Sequence, residues 1–345
     1  MNTRVSVAMI VRNEVRDLPD CLDSLRPLGW EVCVVDTGSE DGTEKLARER
    51  GCVVGHFPWC DDFSAARNAS LDLCRGAWVF VMDADERIDV ADVPRLLELP
   101  ERGPHYWYSF ITRNYTDDTF LSDFVACAPD DPNAKGYAGW YPSVKVRLLP
   151  NAPENRFVGR VHELIRSHRP EVDAEVLPSG VPIHHYPLGK TPEAIEAKRR
   201  LYLELGRQKT EEMPDCAPAW AELAVQHGEL GEYARAAAAY QRALRLEPAN
   251  GLWLRELGGM LLMLGQTREA ETALNLAAKL SPDDVVIVRN LGVLHSRGGD
   301  WERALACFEQ ALSIEPEHRC LRLDAAVALE ALGRHVEAQG YRERV

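Results

Sequence analysis

The sequence has no long apolar run and no paired cysteines. No stretch approaches the roughly 18 to 20 apolar residues that cross a bilayer, and the first apolar segment, 5–11, leads at once into Arg12-Asn13-Glu14. We therefore expect neither a signal peptide nor a transmembrane helix. The nine cysteines are odd in number and form no C-x-x-C pair. This usage is typical of thiols in a reducing cytosol and predicts a cytoplasmic protein.

The sequence also lacks an excess of positive charge. Its formal net charge is -14, whereas a nucleic-acid surface needs a concentration of Lys and Arg, so we expect no nucleic-acid partner. With 24 Gly and 21 Pro dispersed among 46% hydrophobic and 27% charged residues, the composition is typical of a chain that folds throughout. A length of 345 residues suffices for two domains with separate cores.

The C-terminal part contains a repeat with a period of about 34 residues. Several columns align in one register: Leu223, Leu257 and Leu291; Gly231, Gly265, Gly299 and Gly333; Ala236, Ala270, Ala304 and Ala338; Pro248, Pro282 and Pro316. Small Ala residues let two helices approach closely, Gly permits a turn between them, and Pro ends the second helix. The columns resemble tetratricopeptide repeats at 217–250, 251–284, 285–318 and, in part, 319–345. Arg342 replaces a bulky residue in the last copy and predicts a polar cap.

The N-terminal part has a different pattern, in which apolar strands alternate with helices. Strands are predicted at 5–11, 31–36, 52–56 and 77–82, with helices at 18–26, 42–49 and 63–74 between them. Such an alternation predicts an α/β domain with a Rossmann-like, mainly parallel sheet over 1–189. Two further strands, at 105–113 and 141–149, flank a loop at 128–139 of the kind that moves over a ligand. A linker at 190–216, helical from 191 to 208, joins the domains.

Polar residues follow four of the predicted strands. Ligands of an open parallel sheet bind beyond the carboxyl ends of its strands, and this is where Asp83-Ala84-Asp85 follows the fourth strand. In an extended segment residues i and i+2 point to the same side, so the two carboxylates repel each other unless a cation lies between them. Oxygen ligands suit Mg²⁺ or Mn²⁺. The alternative is a solvated turn in which Asp85 caps a following helix.

Two more strand ends carry candidate ligands. Asp36 can accept hydrogen bonds from a nucleobase or a ribose, while Asp41 and Glu44 have the spacing of a capping box for the next helix. Arg67 and Asn68 lie in the first turns of a helix that Asp62 or Ser64 caps. There an Arg can meet a diphosphate or brace the acidic motif, or it is an incidental surface residue.

The ordered motifs resemble those of glycosyltransferase family two, and are closest to the branch with the peptide S-glycosyltransferases of glycocin bacteriocins. The resemblance covers about 5–188 and rests on 10–14 (IVRNE), 35–43 (VDTGSEDGT), 59–68 (WCDDFSAARN), 82–86 (MDADE), 157–164 (FVGRVHEL) and, more weakly, 183–186 (IHHY). It implies a GT-A fold, a nucleoside diphosphate sugar donor, usually with uridine, a divalent Mg or Mn ion, and inversion at the anomeric carbon.

The resemblance also implies roles for individual residues. The backbone of Val11 and Asn13 with Asp36 would hold the base, Asp83 the ribose, and Asp85 the metal-bound diphosphate. Further donor-site positions are Glu14, Gly38, Arg67, Asn68 and Ala84. The chain also needs a base for the acceptor's proton, for which Glu163, next to His162, is the candidate. His162, His184 or His185 would complete the metal's protein ligands, with His185 and Asp83 assigned to the metal beside Asp85.

Three functions remain open at this point. The first is transfer of a sugar to a polypeptide, with the repeats docking the acceptor or a partner protein, or forming a homodimer. The second is the same chemistry on a glycan or lipid-linked acceptor in envelope polysaccharide assembly. The third is a catalytically silent scaffold, against which the intact Asp36, Asp83 and Asp85 argue.

Overall fold

The computed structural model describes residues 2–103, 106–119, 121, 123–167, 175–187 and 192–344. It divides into two compact units, Met1–Ala194 and Ile195–Val345. His105 and Thr191, the predicted first residues of a strand and of the linker helix, lie outside the described residues. No helix within the described ranges is long and apolar enough to cross a membrane.

The first unit is built on a mixed sheet. Its strands in chain order are β1 (Asn2–Val11), β2 (Trp30–Asp36), β3 (Val53–His56), β4 (Trp78–Val81), β5 (Glu86–Arg87), β6 (Tyr106–Thr116), β7 (Val125–Ala126), β8 (Gly139–Pro150), β9 (Asn155–Val158), β10 (Leu164–Ser167) and β11 (Glu175–His185). In the described ranges nine strands form one sheet in the order β3-β2-β1-β4-β8-β6-β11-β5, with β7 on β8, while β9 and β10 form a separate pair.

The α/β class predicted from the sequence is confirmed. Strands β3, β2, β1 and β4 are parallel, as the strand and helix alternation indicates. Helices α1 (Leu18–Leu25), α2 (Thr43–Glu49), α3 (Phe63–Leu73) and α4 (Val93–Glu98) belong to this unit. Beyond β4 the sheet is mixed, because β8 is antiparallel to both β4 and β6, and β11 is parallel to β6. Parallel pairing thus joins β3, β2, β1 and β4 in the first half of the sheet, and it also joins β6 with β11.

Strands β1 and β4 are buried on both faces, which explains their near-continuous apolar sequence. Val7 and Met9 of β1 pack into one core with Leu22 of α1, whereas Ala8 joins a second core with Leu71 of α3. Because these central strands are covered on both faces, the polar segments at their carboxyl ends are the parts open to a ligand.

The second unit is a series of helices. In chain order they are α5 (Pro192–Glu212), α6 (Ala217–Glu229), α7 (Tyr233–Leu246), α8 (Gly251–Met263), α9 (Thr267–Leu280), α10 (Val285–Arg297), α11 (Trp301–Ile314), α12 (Arg319–Ala331) and α13 (His335–Arg342). The turns inside the helix pairs contain Gly231, Gly265, Gly299 and Gly333, whose φ values of 72, 71, 79 and 74° favour glycine. Arg342 at the last pair forms an exposed ion pair with Glu330.

Close helix packing in the repeats depends on small residues, which leads to a stability prediction. A Cβ on Gly292 of α10 would lie 2.5 Å from the ring of Phe308 in α11. We expect Gly292→Ala to lower the free energy of unfolding by about 1–2 kcal/mol, since overpacking outweighs the gain in helix propensity. Denaturant unfolding followed by circular dichroism measures this change.

The matched control is Gly340→Ala in α13, where an added Cβ would meet no atom within 4 Å. Its unfolding midpoint should stay the same or rise slightly. Equal effects of the two substitutions would contradict close packing at Gly292.

Candidate active site

The loops after β1 and β2 are held together by hydrogen bonds at the carboxyl edge of the sheet. The backbone N–H of Asn13 donates to Ser39 Oγ at 2.9 Å, and Asn13 Oδ1 accepts from the Glu40 N–H at 2.8 Å. The Val11 carbonyl accepts from the Thr37 N–H at 3.0 Å. Asn13 has a φ of 58°, a left-handed conformation that Asn tolerates better than most residues. Asn13, whose backbone is predicted to hold the base of a nucleotide, therefore uses its side chain to shape the loop that would hold one.

Glu14 and Asp41 contribute to the same loop contact. The Glu14 N–H donates to Thr43 Oγ1 at 2.8 Å, and Asp41 accepts from the Val15 N–H at 3.1 Å and the Thr43 N–H at 3.0 Å. Glu44 instead forms an ion pair with Arg48. The predicted capping box of Asp41 and Glu44 is therefore wrong, because the Asp41 carboxylate is used to fasten the two loops.

Asp36 is buried at the end of β2 and has one unpaired oxygen. Its Oδ1 accepts from the Gly38 and Ser39 N–H groups at 2.8 and 2.7 Å, while Oδ2 is buried without a hydrogen-bond partner. Gly38 has a φ of 111°, which favours glycine at this position. A buried carboxylate oxygen without a donor is costly. A ligand that supplies an N–H or O–H group would remove that cost.

The acidic turn after β4 rests on a buried ion pair that the sequence did not reveal. Glu86 Oε2 accepts from the Asp83 N–H at 2.9 Å and from Arg147 Nη1 at 2.7 Å, and Arg147 Nη2 donates to Glu86 Oε1. Both side chains are almost fully buried. Ala84 is also buried, at 3% exposure, and its carbonyl accepts from Arg87 Nη1 at 2.9 Å, so its contact with a sugar donor stays a prediction. The chain continues into β5 and not into a helix, so the helix-cap alternative for Asp85 is wrong.

Asp85 lies beside His185 of β11. His185 Nε2 is 3.2 Å from Asp85 Oδ2, and His185 Nδ1 is 2.9 Å from Asn114 Oδ1. The Asn114 amide nitrogen donates to the Tyr141 carbonyl and to Ser143 Oγ, both at 3.1 Å. Its oxygen consequently faces the imidazole and accepts a hydrogen bond from His185 Nδ1. His185 Nε2 faces the Asp85 carboxylate, so a cation placed between the two groups would have both as ligands.

These residues fit a divalent metal ion. Within the described part of the chain no three His, Cys, Asp or Glu side chains form a complete metal cage. One carboxylate and one imidazole, oriented by Asn114, are however ligands that leave most of the coordination shell to diphosphate oxygens and water, as Mg²⁺ and Mn²⁺ sites commonly do. His184 faces away and is buried, with Nδ1 2.8 Å from the Tyr115 hydroxyl. Burial lowers the pKa of His184 to about 4.

Arg67 joins Asp83 to Glu163. Its Nη2 donates to Asp83 Oδ1 at 3.0 Å, and its Nε donates to Glu163 Oε1. Although burial opposes the charged form, the Arg67 guanidinium, followed by Lys145, holds the pKa of Asp83 well below its usual range. Of the three alternatives for Arg67, the structure thus shows the brace. Arg67 also brings Glu163 near the acidic turn. The role of Glu163 as the base stays a prediction.

Helix α3 is fastened to the segment that carries Glu163. Asn68 exchanges two hydrogen bonds with the Phe157 backbone, at 3.0 and 2.9 Å, and Asp62 caps the helix by accepting from the Ala65 N–H at 3.0 Å. Asn68 is therefore engaged in positioning β9, and a direct contact with a donor stays a prediction. His162 lies between β9 and β10 with a φ of 49°, next to Glu163.

The mixed α/β sheet carries the joined loops and the acidic turn at one edge. The profile described as "Glycosyl transferase family 2" matches residues 6–152, and two tetratricopeptide repeat profiles match 221–285 and 297–341. The N-terminal domain belongs to glycosyltransferase family 2 and is followed by tetratricopeptide repeats. The chain is a glycosyltransferase.

Several curated proteins are similar to this chain. A TPR repeat-containing protein of Synechococcus elongatus is 29% identical over 343 residues, 96% of this chain and 71% of that protein. The SPbeta prophage-derived glycosyltransferase SunS of Bacillus subtilis is 23% identical over 274 residues, 77% of this chain and 51% of SunS. The match to SunS supports the resemblance to the glycocin branch.

Other similarities cover single domains. The lipopolysaccharide core biosynthesis glycosyltransferase LpsC of Rhizobium meliloti is 34% identical over 92 residues, 25% of this chain and 33% of LpsC. Among solved structures, a crystal structure of MamA protein is 18% identical, with a TM-score of 0.41 over 44% of this chain and 83% of the MamA chain.

Proposed function

We propose that this glycosyltransferase is metal-dependent and moves a sugar, with inversion, from a UDP-sugar to a polypeptide. The observation that carries the proposal is the pairing of Asp85 with His185, whose ring is oriented by Asn114. A cation bound there would offset the negative charge that grows on the departing diphosphate. The protein holds that position through β5 and β11, two neighbouring strands of a rigid sheet.

The donor's nucleoside is proposed to lie on the joined loops after β1 and β2. The unpaired Asp36 Oδ2 is suited to accept a hydrogen bond from the imide of uracil or from a ribose hydroxyl. Asp83 is kept ionised by Arg67 and so remains an acceptor for a ribose hydroxyl. Glu163 is the proposed base, with the oxygen that does not accept from Arg67 directed to the acceptor's proton.

The acceptor is proposed to be a polypeptide that the repeats help to bind. The resemblance to the glycocin branch and the match to SunS support this choice. The similarity to LpsC favours a second candidate, a glycan acceptor of the envelope. A homodimer through the repeats and a cytoplasmic location stay predictions.

Thermal unfolding of the full chain with UDP, GDP or CDP, each with and without Mn²⁺, tests the donor and the metal. UDP with Mn²⁺ should stabilise the protein by about 2.7 kcal/mol at a hundred times its Kd, and UDP in EDTA should stabilise it much less. Equal shifts with and without metal would contradict metal dependence. Equal shifts with all three nucleotides would contradict a uridine donor.

Mass spectrometry after incubation with UDP-sugars separates the two acceptor classes. A peptide library that gains hexose mass, beside an unchanged lipooligosaccharide core, supports the polypeptide. The reverse result would replace it with the glycan acceptor.

A further inference from the structure

Lys145 of β8 lies opposite the acidic turn, although no sequence motif contains it. Strands β4 and β8 pair antiparallel with Trp78 opposite Pro150, Val79 opposite Leu149 and Phe80 opposite Leu148. The pairing with β4 ends there, because β8 has a register shift at Arg147, beyond which Lys145 lies opposite Phe110 and Ser143 opposite Thr112 of β6. Lys145 is therefore two residues before the arginine that holds the acidic turn.

The side chain of Lys145 is on the face of β8 that serves the turn. Residues two apart in a strand point to the same side, and Arg147, two residues on, reaches the Val81 carbonyl at 3.2 Å and the Glu86 carboxylate beneath the turn. Ser143, two residues before Lys145, accepts a hydrogen bond from the Asn114 amide that orients His185. Lys145 therefore lies on β8 between the residue that supports the acidic turn and the residue that contacts Asn114.

Lys145 differs from its basic neighbours because its charge is not neutralised by an ion pair. Arg67 is shared by Asp83 and Glu163, and Arg147 is held by Glu86. Lys145 is exposed and forms no hydrogen bond or ion pair with any described residue. Its ammonium group is thus available to an anionic ligand.

We propose that Lys145 binds the diphosphate of the donor and stabilises it as a leaving group, in addition to a bound cation; this proposal rests on the proposed function. During transfer the bond between the anomeric carbon and the β-phosphate oxygen breaks, and its electron pair goes to that oxygen. The acceptor atom forms the new bond and gives its proton to the base. Lys145 donates a hydrogen bond to the diphosphate and keeps its own protons.

Titration calorimetry of the full chain in Mn²⁺ tests the inference with pyrophosphate, UDP and uridine as ligands. Lys145→Met should weaken pyrophosphate and UDP binding by about 10- to 100-fold, the range for one charge-assisted hydrogen bond. Uridine binding and the melting temperature should not change, because uridine carries no phosphate and the lysine is exposed. Lys145→Arg should restore most of the UDP affinity.

Lys279→Met is the matched control, since it removes the same charge from an exposed site in α9 and should leave all three affinities unchanged. If Lys145→Met binds pyrophosphate and UDP as wild type does, the inference is overturned while the proposed function stands. If wild type binds pyrophosphate through Lys145 but no UDP, the uridine donor fails and the diphosphate site stands. If wild type binds neither ligand, both fail.

Discussion

Asp85→Asn is expected to lower kcat/KM for sugar transfer at least about a hundredfold, the scale on which loss of transition-state charge stabilisation acts. The carboxylate is, with His185, a side chain that we propose as a metal ligand, and an amide binds Mg²⁺ or Mn²⁺ far less well. Initial rates at increasing Mn²⁺ measure the effect. The variant should also lose the Mn²⁺-dependent part of UDP binding and retain the part seen in EDTA.

Asp23→Asn serves as the control for Asp85→Asn. Asp23 is 59% exposed in a surface ion pair with Arg50, and such pairs contribute little, so transfer should proceed at the wild-type rate. An Asp85→Asn enzyme with normal rates and normal Mn²⁺ dependence would remove Asp85 from the metal. A loss of activity that persists at saturating UDP-sugar and any Mn²⁺ concentration would assign Asp85 a role in the chemical step as well.

The first half of the site was predictable because its residues are local in sequence. Each of the first strands ends in its own polar segment, and the parallel order of β1, β2 and β4 brings those segments to one edge. The repeats were predictable for a similar reason, since every helix pair uses the same small and turn-forming residues within a short stretch. For the strand ends and for the repeats alike, the residues that determine the structure lie close together in the sequence.

The second half depended on strand pairings that no local pattern contains. His185 meets Asp85 because β11 runs antiparallel to β5, and Asn114 meets His185 because β11 runs parallel to β6. Nothing around Asn114 marks it as a partner of a histidine far along the chain. The role of Asn68 was also ambiguous in the sequence. A side-chain amide can form hydrogen bonds with a nucleotide or with a backbone, and in the structure it forms them with the backbone of Phe157.

Arg147→Met is expected to destabilise the N-terminal domain by about 3–5 kcal/mol, because it leaves the Glu86 carboxylate buried without its partner. The pair is almost fully buried, with side-chain exposures of 2% and 3%, so water cannot take over the role of the guanidinium. Urea unfolding monitored by tryptophan fluorescence measures the loss. The control Arg156→Met removes an arginine from a pair whose partner Asp72 is 63% exposed, and should cost no more than about 1 kcal/mol.

Adding Glu86→Gln to Arg147→Met separates stability from the geometry of the site. The double variant no longer buries an unpaired charge, so it should be more stable than Arg147→Met alone. It still lacks the ion pair between Arg147 and the Glu86 carboxylate that accepts from the Asp83 N–H. Sugar transfer should therefore stay impaired even under conditions in which the double variant is fully folded. Recovery of both stability and transfer would mean that Glu86 and Arg147 only balance each other's charge. Recovery of stability without transfer would mean that the pair sets the position of the two aspartates.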